Sequence, residues 1–239
     1  MFIRRRRKMS ILEKWGNMRC QPAHNILLHE WRAVYISIPK VACTSIRTAL
    51  AGMLGHKVKR NVHFEVKFPM VAKKDIKPKF PDYFVFVFVR NPWDRLLSCF
   101  LSKIDPGEED GGTFINGVEF NFWKYGDTFH SSMSFTDFVK ATCAIPDEEA
   151  DIHFGSQYQH LVDSNGELLA DFVGRFESLC DDLGMIRTKL KMPLVDLPHL
   201  LKTKHQHYSD YYTSETCELV RKRFEKDIDL FEYRFEKSS

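Results

Sequence analysis

The period of the apolar positions changes several times along the chain, and each change marks an element. Ala33-Val34-Tyr35-Ile36-Ser37-Ile38 is a short apolar run closed by Pro39, which predicts a buried strand. From Ser45 the period lengthens. Ile46, Ala49, Leu50, Met53 and Leu54 recur at i, i+3, i+4, i+7 and i+8, one face of a helix that Gly55 closes. Tyr83 to Val89 alternates Phe and Val without a polar position, as a central strand of a covered parallel sheet does. Asn91 then offers a helix cap with Pro92 behind it, and Trp93, Leu96, Leu97, Phe100, Leu101 and Ile104 form a helical stripe. Two strand–turn–helix units with short turns predict a doubly wound α/β sheet.

The pattern loosens between residues 105 and 133, where Pro106-Gly107, Gly111-Gly112, Gly117 and Gly126 separate acidic and aromatic residues. So long a connection is expected to be a substrate loop or lid. Within it Trp123-Lys124-Tyr125 reads either as a sugar-stacking cluster or, more commonly, as aromatic packing. Ser134 begins another helix, and Asn165-Gly166 predicts a hairpin turn between Tyr158–Val162 and Leu168–Val173. Further helices are expected from about Ser178 and after Ser214. Residues 1–30 read as a basic arm, Arg4 to Lys8, leading to a short helix with Ile11, Leu12 and Trp15. Residues 31–239 read as a single domain.

Composition narrows the function classes. Lys and Arg exceed Asp and Glu by 35 to 32, so the net charge is only +3 and any anion site must be local. Nucleic acid is therefore not an expected partner. The six cysteines show no CxxC pair and no ligand spacing, which argues against zinc and against a disulfide framework. No apolar stretch reaches the roughly 20 residues of a membrane helix. That leads to the expectation of a cytoplasmic chain, or of the soluble part of something longer. Oligomeric state is not legible.

Chemistry concentrates where the two strands meet their helices, the place at which open α/β sheets bind ligands. In Pro39-Lys40-Val41-Ala42-Cys43-Thr44-Ser45, a turn into a helix N-terminus carries a cation and two hydroxyls, suited to phosphate or sulfate. The glycines and the Gly-Lys-Ser/Thr order of a Walker A loop are missing, which weakens a kinase reading. The blander alternative is a plain turn with Thr44 capping the helix. At the second junction Arg90 leaves a buried strand and needs an anion there, with Ser98 two turns into the next helix. The blander alternative pairs Asp94 with Arg90 or Arg95. Two such junctions in succession suggest a ligand with two separated anionic groups.

These segments resemble the nucleotide-binding motifs of sulfotransferases that use 3′-phosphoadenylyl sulfate (PAPS), and most closely those of carbohydrate sulfotransferase family 2. Ile38 to Ser45 is similar to that family's 5′-phosphosulfate loop and Phe88 to Ser98 to its 3′-phosphate motif. Asp171 to Leu179 and His207 to Tyr212 are similar to later family segments. The resemblance implies a P-loop-like, three-layer α/β/α fold with a central, mostly parallel sheet. It implies PAPS as co-substrate, no metal, and transfer of its sulfuryl group to a hydroxyl acceptor on a glycan or small carbohydrate. Pro39, Lys40, Val41, Ala42, Cys43, Thr44 and Ser45 would then hold the 5′ end, and Arg90 and Ser98 the 3′-phosphate. Many relatives have glycine where Ala42 stands. Cys43 is taken as a small buried packing residue.

In-line transfer places charge on the leaving phosphate, where Lys40 would stand, and asks for a base on the acceptor. His63, between the two motifs, is the expected base, with Glu65 beside it. His153 is the second candidate and, with Gln157, an expected acceptor contact. His205 and His207 are assigned to the nucleotide side. The rival readings are a catalytically inactive module that binds nucleotide or sulfated glycan, and a P-loop-type kinase.

Overall fold

In the computed structural model, which describes residues 25–104, 114–115, 117–195 and 206–238, the first element is strand β1 (Asn25–Leu28). The chain reverses through a left-handed Arg32 and returns antiparallel as β2 (Ala33–Ile36). β1 thus belongs to the sheet, although it precedes the boundary at residue 31 read from the sequence. The arm Arg4–Lys8, the segment with Ile11, Leu12 and Trp15, and His205 lie outside the described residues.

Helix α1 (Cys43–Met53) follows β2, then the single-turn helix α2 (Val62–Glu65), the edge strand β3 (Met70–Val71) and the short α3 (Ile76–Lys79). β4 (Phe84–Val89) runs parallel to β2 and is buried on both faces, so helices and loops cover the sheet on each side. It leads into α4 (Pro92–Lys103), capped by the Asn91 side chain accepting from the Trp93 N–H, with Pro92 at the first position. Strands β5 (Phe114–Ile115) and β6 (Val118–Glu119) make a separate two-stranded pair. Then come α5 (Phe135–Ala144), capped by Ser134, the single-turn α6 (Tyr158–Leu161), β7 (Phe172–Arg175), α7 (Leu179–Leu190), α8 (Ser214–Arg223) and α9 (Glu225–Phe231).

The main sheet has the order β3-β1-β2-β4-β7, with β2, β4 and β7 parallel and the β1 and β3 edge antiparallel. The carboxyl ends of the parallel strands therefore lie side by side. One apolar core joins this sheet to α1, α3, α7 and α9. A second joins α4, α5 and α8 to Val118, Phe122, Phe129 and Met133 of the glycine-rich insertion. Apolar residues of the insertion's described part are thus anchored in the core, while most of its polar residues stay exposed. Phe122 and Tyr125 pack edge-on or tilted against Phe129 and Phe154, while Trp123 and Lys124 of the cluster stay exposed.

One predicted element takes a different form. Tyr158–Leu161 is helical rather than one arm of a hairpin, because Asp227 accepts from the Gln157 and Tyr158 N–H groups at its start. The Asn165-Gly166 turn is present, with Gly166 at φ +82°, but the ladder it closes is the single bridge Val162–Leu168. Phe172–Arg175 pairs with β4 instead.

Candidate active site

Ser37, Ile38 and Pro39 leave β2 fully buried, and the chain then turns into α1 through two left-handed residues, Lys40 (φ +68°) and Ala42 (φ +48°). Each costs an L-residue about 1–2 kcal/mol, and such conformations gather at ligand clamps. Ala42 is the N-cap of α1 and no side chain caps that end. Thr44 faces away from a capping role, its Oγ1 lying 3.1 Å from His63 Nε2. Cys43 is partly exposed, not the buried packing residue expected, and Ser45 is buried. The Lys40 ammonium crosses to α4 and donates to Ser102 Oγ.

Arg90 emerges from β4 almost completely buried. Its Nε donates to Asp94 Oδ2 at 2.7 Å, its Nη1 to the Lys40 carbonyl at 3.1 Å, and its plane lies over the Phe176 ring at 4.0 Å. The internal pairing with Asp94 that the sequence allowed is therefore formed. Ser98, buried, faces inward two turns further along α4. Arg95 goes unrecognised in the sequence except as a partner for Asp94. Its guanidinium is buried and donates to the carbonyls of Pro39 (3.1 Å), Gly155 (2.8 Å) and Ile152 (3.0 Å). Burial lowers its pKa, with Asp227 opposing. Two arginines of one motif thus bind main-chain oxygens of the other, which brings both junctions together at the carboxyl ends of β2 and β4.

The expected acceptor-side residues divide. His63 is exposed on α2, its ring beside the first turns of α1, with Nε2 near Thr44 and Nδ1 3.3 Å from Arg47 Nη1. Arginine can only donate, so Nδ1 accepts and Nε2 carries the proton toward Thr44. Glu65 does not face an acceptor as a base would. Both its oxygens accept main-chain N–H groups, from Lys59 at 2.8 Å, Arg60 at 2.6 Å and Asn61 at 2.8 Å, and those bonds, Lys59 first, lower its pKa. A base would need the opposite shift.

His153 is held by Asp151, whose Oδ1 lies 2.6 Å from Nδ1 and also accepts the His153 N–H at 3.0 Å. Nδ1–H donates to the carboxylate, and Nε2 presents its lone pair. Burial lowers the His153 pKa against the pull of Asp151; the Asp151 carboxyl, which burial would raise, is lowered by its bonds to His153. The Asp-x-His spacing was the available signal for this pair. Gln157 is a correction. It is fully buried, and its amide accepts from the Arg90 N–H and donates to the Arg90 carbonyl, both at 2.9 Å, so it braces the end of β4 from within and offers no exposed surface to an acceptor. Arg175 donates to the Phe231 carbonyl, Glu177 accepts from the Asn91 N–H, and His207 caps a short turn at Ser209. Among the described residues no cluster of His, Cys, Asp or Glu is arranged to hold a metal ion.

The model of the sulfotransferase family matches residues 24–234, and so spans the sheet and both junctions. The chain belongs to that family. Carbohydrate sulfotransferase 14 of Danio rerio is 26% identical over 204 residues, covering 81% of this chain and 54% of the relative. Carbohydrate sulfotransferase 10 of Xenopus laevis is 25% identical over 242 residues, covering 85% of this chain and 65% of the relative. A shorter match, 31% over 96 residues, links it to carbohydrate sulfotransferase 14 of Mus musculus, across 37% of this chain and 25% of the relative. The chain spans about half to two thirds of the length of the first two relatives. No solved structure matches it significantly. The relatives also correct one expectation. They are carbohydrate sulfotransferases, and membership with them overturns the cytoplasmic assignment. Among the described residues no helix is long and apolar enough to cross a membrane, and that carries no information on compartment.

Proposed function

We propose that this sulfotransferase takes its sulfuryl group from PAPS and transfers it to a hydroxyl of a carbohydrate. The observation that carries the reading is the cross-linking of the two junctions. Arg90 and Arg95, on the 3′ motif, hold the Lys40 and Pro39 carbonyls of the 5′ loop. A ligand with anionic groups at both ends of one nucleoside fits such a pair, and the uncapped first turn of α1 with Lys40 beside it suits the 5′ end. Arg90, already paired with Asp94, would offer its remaining donors to the 3′-phosphate alongside Ser98.

In this reading Lys40 leaves Ser102 to meet the charge that grows on the leaving phosphate, and backbone N–H groups of residues 42–45 orient the sulfuryl oxygens. His63 acts as base, because its contact with Thr44 places it beside whatever that loop holds. To accept a proton at Nε2 the imidazole first holds its own proton on Nδ1, and that tautomer gives up the 3.3 Å contact in which Nδ1 accepts from Arg47. A second reading assigns the base to His153, and one observation favours it. Asp151 already fixes its tautomer with the Nε2 lone pair available.

The test is sulfuryl transfer from radiolabelled PAPS to a panel of oligosaccharides by the wild-type chain and by Lys40→Ala, His63→Ala and His153→Ala. Transfer that is lost with Lys40→Ala and with one of the histidines supports the reading. PAP binding without transfer to any acceptor would favour an inactive binding module, and phosphoryl transfer from ATP would favour a kinase.

A further inference from the structure

The geometry points to Arg95 as a positioning residue for the transfer, one that keeps the Lys40 loop in register with the loop that carries His153. This rests on the sulfotransferase reading above. Arg95 lies in the first turn of α4, where its N–H donates to the Asn91 carbonyl at 2.8 Å, and only 3% of its surface is exposed. Each of its three bonds falls at an informative place. The Pro39 carbonyl belongs to the peptide that joins Lys40, and the Ile152 carbonyl to the peptide that joins His153. The Gly155 carbonyl closes the same turn, whose Gly155 N–H donates to the Asp151 carbonyl at 2.7 Å. Asp151 in turn holds the His153 ring.

A buried guanidinium normally answers to a carboxylate, since an unpaired buried charge is costly. Among the described residues Arg95 has none within hydrogen-bonding reach; Asp227 and Asp147 act on it only at longer range. An apolar side chain could fill the same volume without that penalty. What an apolar side chain lacks is a planar fork that sets three main-chain oxygens at fixed separations. One rigid helix thereby fixes the donor-side lysine relative to the acceptor-side histidine, through bonds that reach 56 residues back along the chain and 57 to 60 residues forward. A misplacement of about 1 Å between reacting groups costs on the order of 100-fold in rate.

The test uses Arg95→Lys and Gly155→Ala in the full chain, with melting temperature, PAP affinity by calorimetry, and kcat at saturating PAPS and acceptor as readouts. Lysine keeps the charge but cannot span three carbonyls. Gly155→Ala moves the same turn without touching a charge, because the new Cβ would lie 3.3 Å from the Asp151 carbonyl oxygen, so that atom must shift slightly. In every variant that folds, kcat is expected to fall at least tenfold further than PAP affinity, because the nucleotide is held by groups on both motifs. A kcat loss smaller than that margin in either folded variant, or one matched by lost affinity, overturns the proposal and leaves Arg95 a purely structural residue. If Arg95→Lys does not fold, Gly155→Ala decides. Failure of the wild-type chain to bind PAP or to transfer sulfate would instead remove the underlying reading.

Discussion

The Lys40 ammonium reaches out of its own loop to donate to a serine of α4, Ser102. A competing hydroxyl costs little to displace, whereas the charge it would meet in the transition state is large. Lys40→Ala is therefore expected to lower kcat by about 10²–10³-fold, the usual loss on removing one preorganised stabiliser, with a smaller change in PAP affinity. Single-turnover kinetics on preformed complexes checks this. His153 yields a prediction in stability. Its folded pKa lies below the ordinary 6.5, so below pH 6.5 the unfolded chain takes up the proton first and stability falls with pH. Above 6.5 both states are neutral and the contribution is constant. Urea denaturation from pH 8 to 5 should show a shallower acid loss for His153→Gln than for the wild type; parallel profiles would contradict the assignment. At this scale the sequence singled out Lys40, Arg90 and Ser98 as candidates, because each sits within a contiguous motif. It hid Arg95 and Gln157, whose meaning lies in carbonyls and amides about 55 to 70 residues away.

The junction between β2 and α1 has two left-handed non-glycine residues, and Ala42 is one of them. Ala42→Gly removes the Cβ conflict at that N-cap and is expected to stabilise the chain by about 1 kcal/mol, measured by chemical denaturation. The opposite change is costly on β7. A Cβ at Gly174 would lie 2.6 Å from the Phe88 ring on neighbouring β4, so Gly174→Ala should destabilise by about 1–3 kcal/mol. β4 and α4 were legible because period, cap and proline agree within one stretch of chain. β1 was not, since four residues at the antiparallel end of the sheet carry too little periodicity to stand out. Nor was α6. Its apolar positions suit a strand equally well, and the carboxylate that starts it as a helix comes from Asp227, 69 residues later.

Across the whole molecule, a nearly balanced charge leaves recognition to a small region where three parallel strands end. The fold class followed from the two strand–turn–helix units, and the family from the motifs on them; the anchoring of the insertion and the linkage between motifs required the three-dimensional arrangement. Asp227 is the furthest-reaching part of that linkage. It is fully buried, burial raises its pKa, and it holds Gln157, which holds Arg90. Asp227→Asn, which keeps the shape but not the acceptor capacity, should weaken PAP binding without direct contact, visible as a rise in Kd together with a lower melting temperature. The most direct measurement is a calorimetric titration of the wild-type chain with PAP and, separately, with AMP. Two cooperating anion junctions predict saturable one-to-one binding of PAP at least tenfold tighter than AMP, with the difference lost in Ser98→Ala combined with Arg90→Met. Equal affinity for the two nucleotides, or no binding of either, would contradict the account.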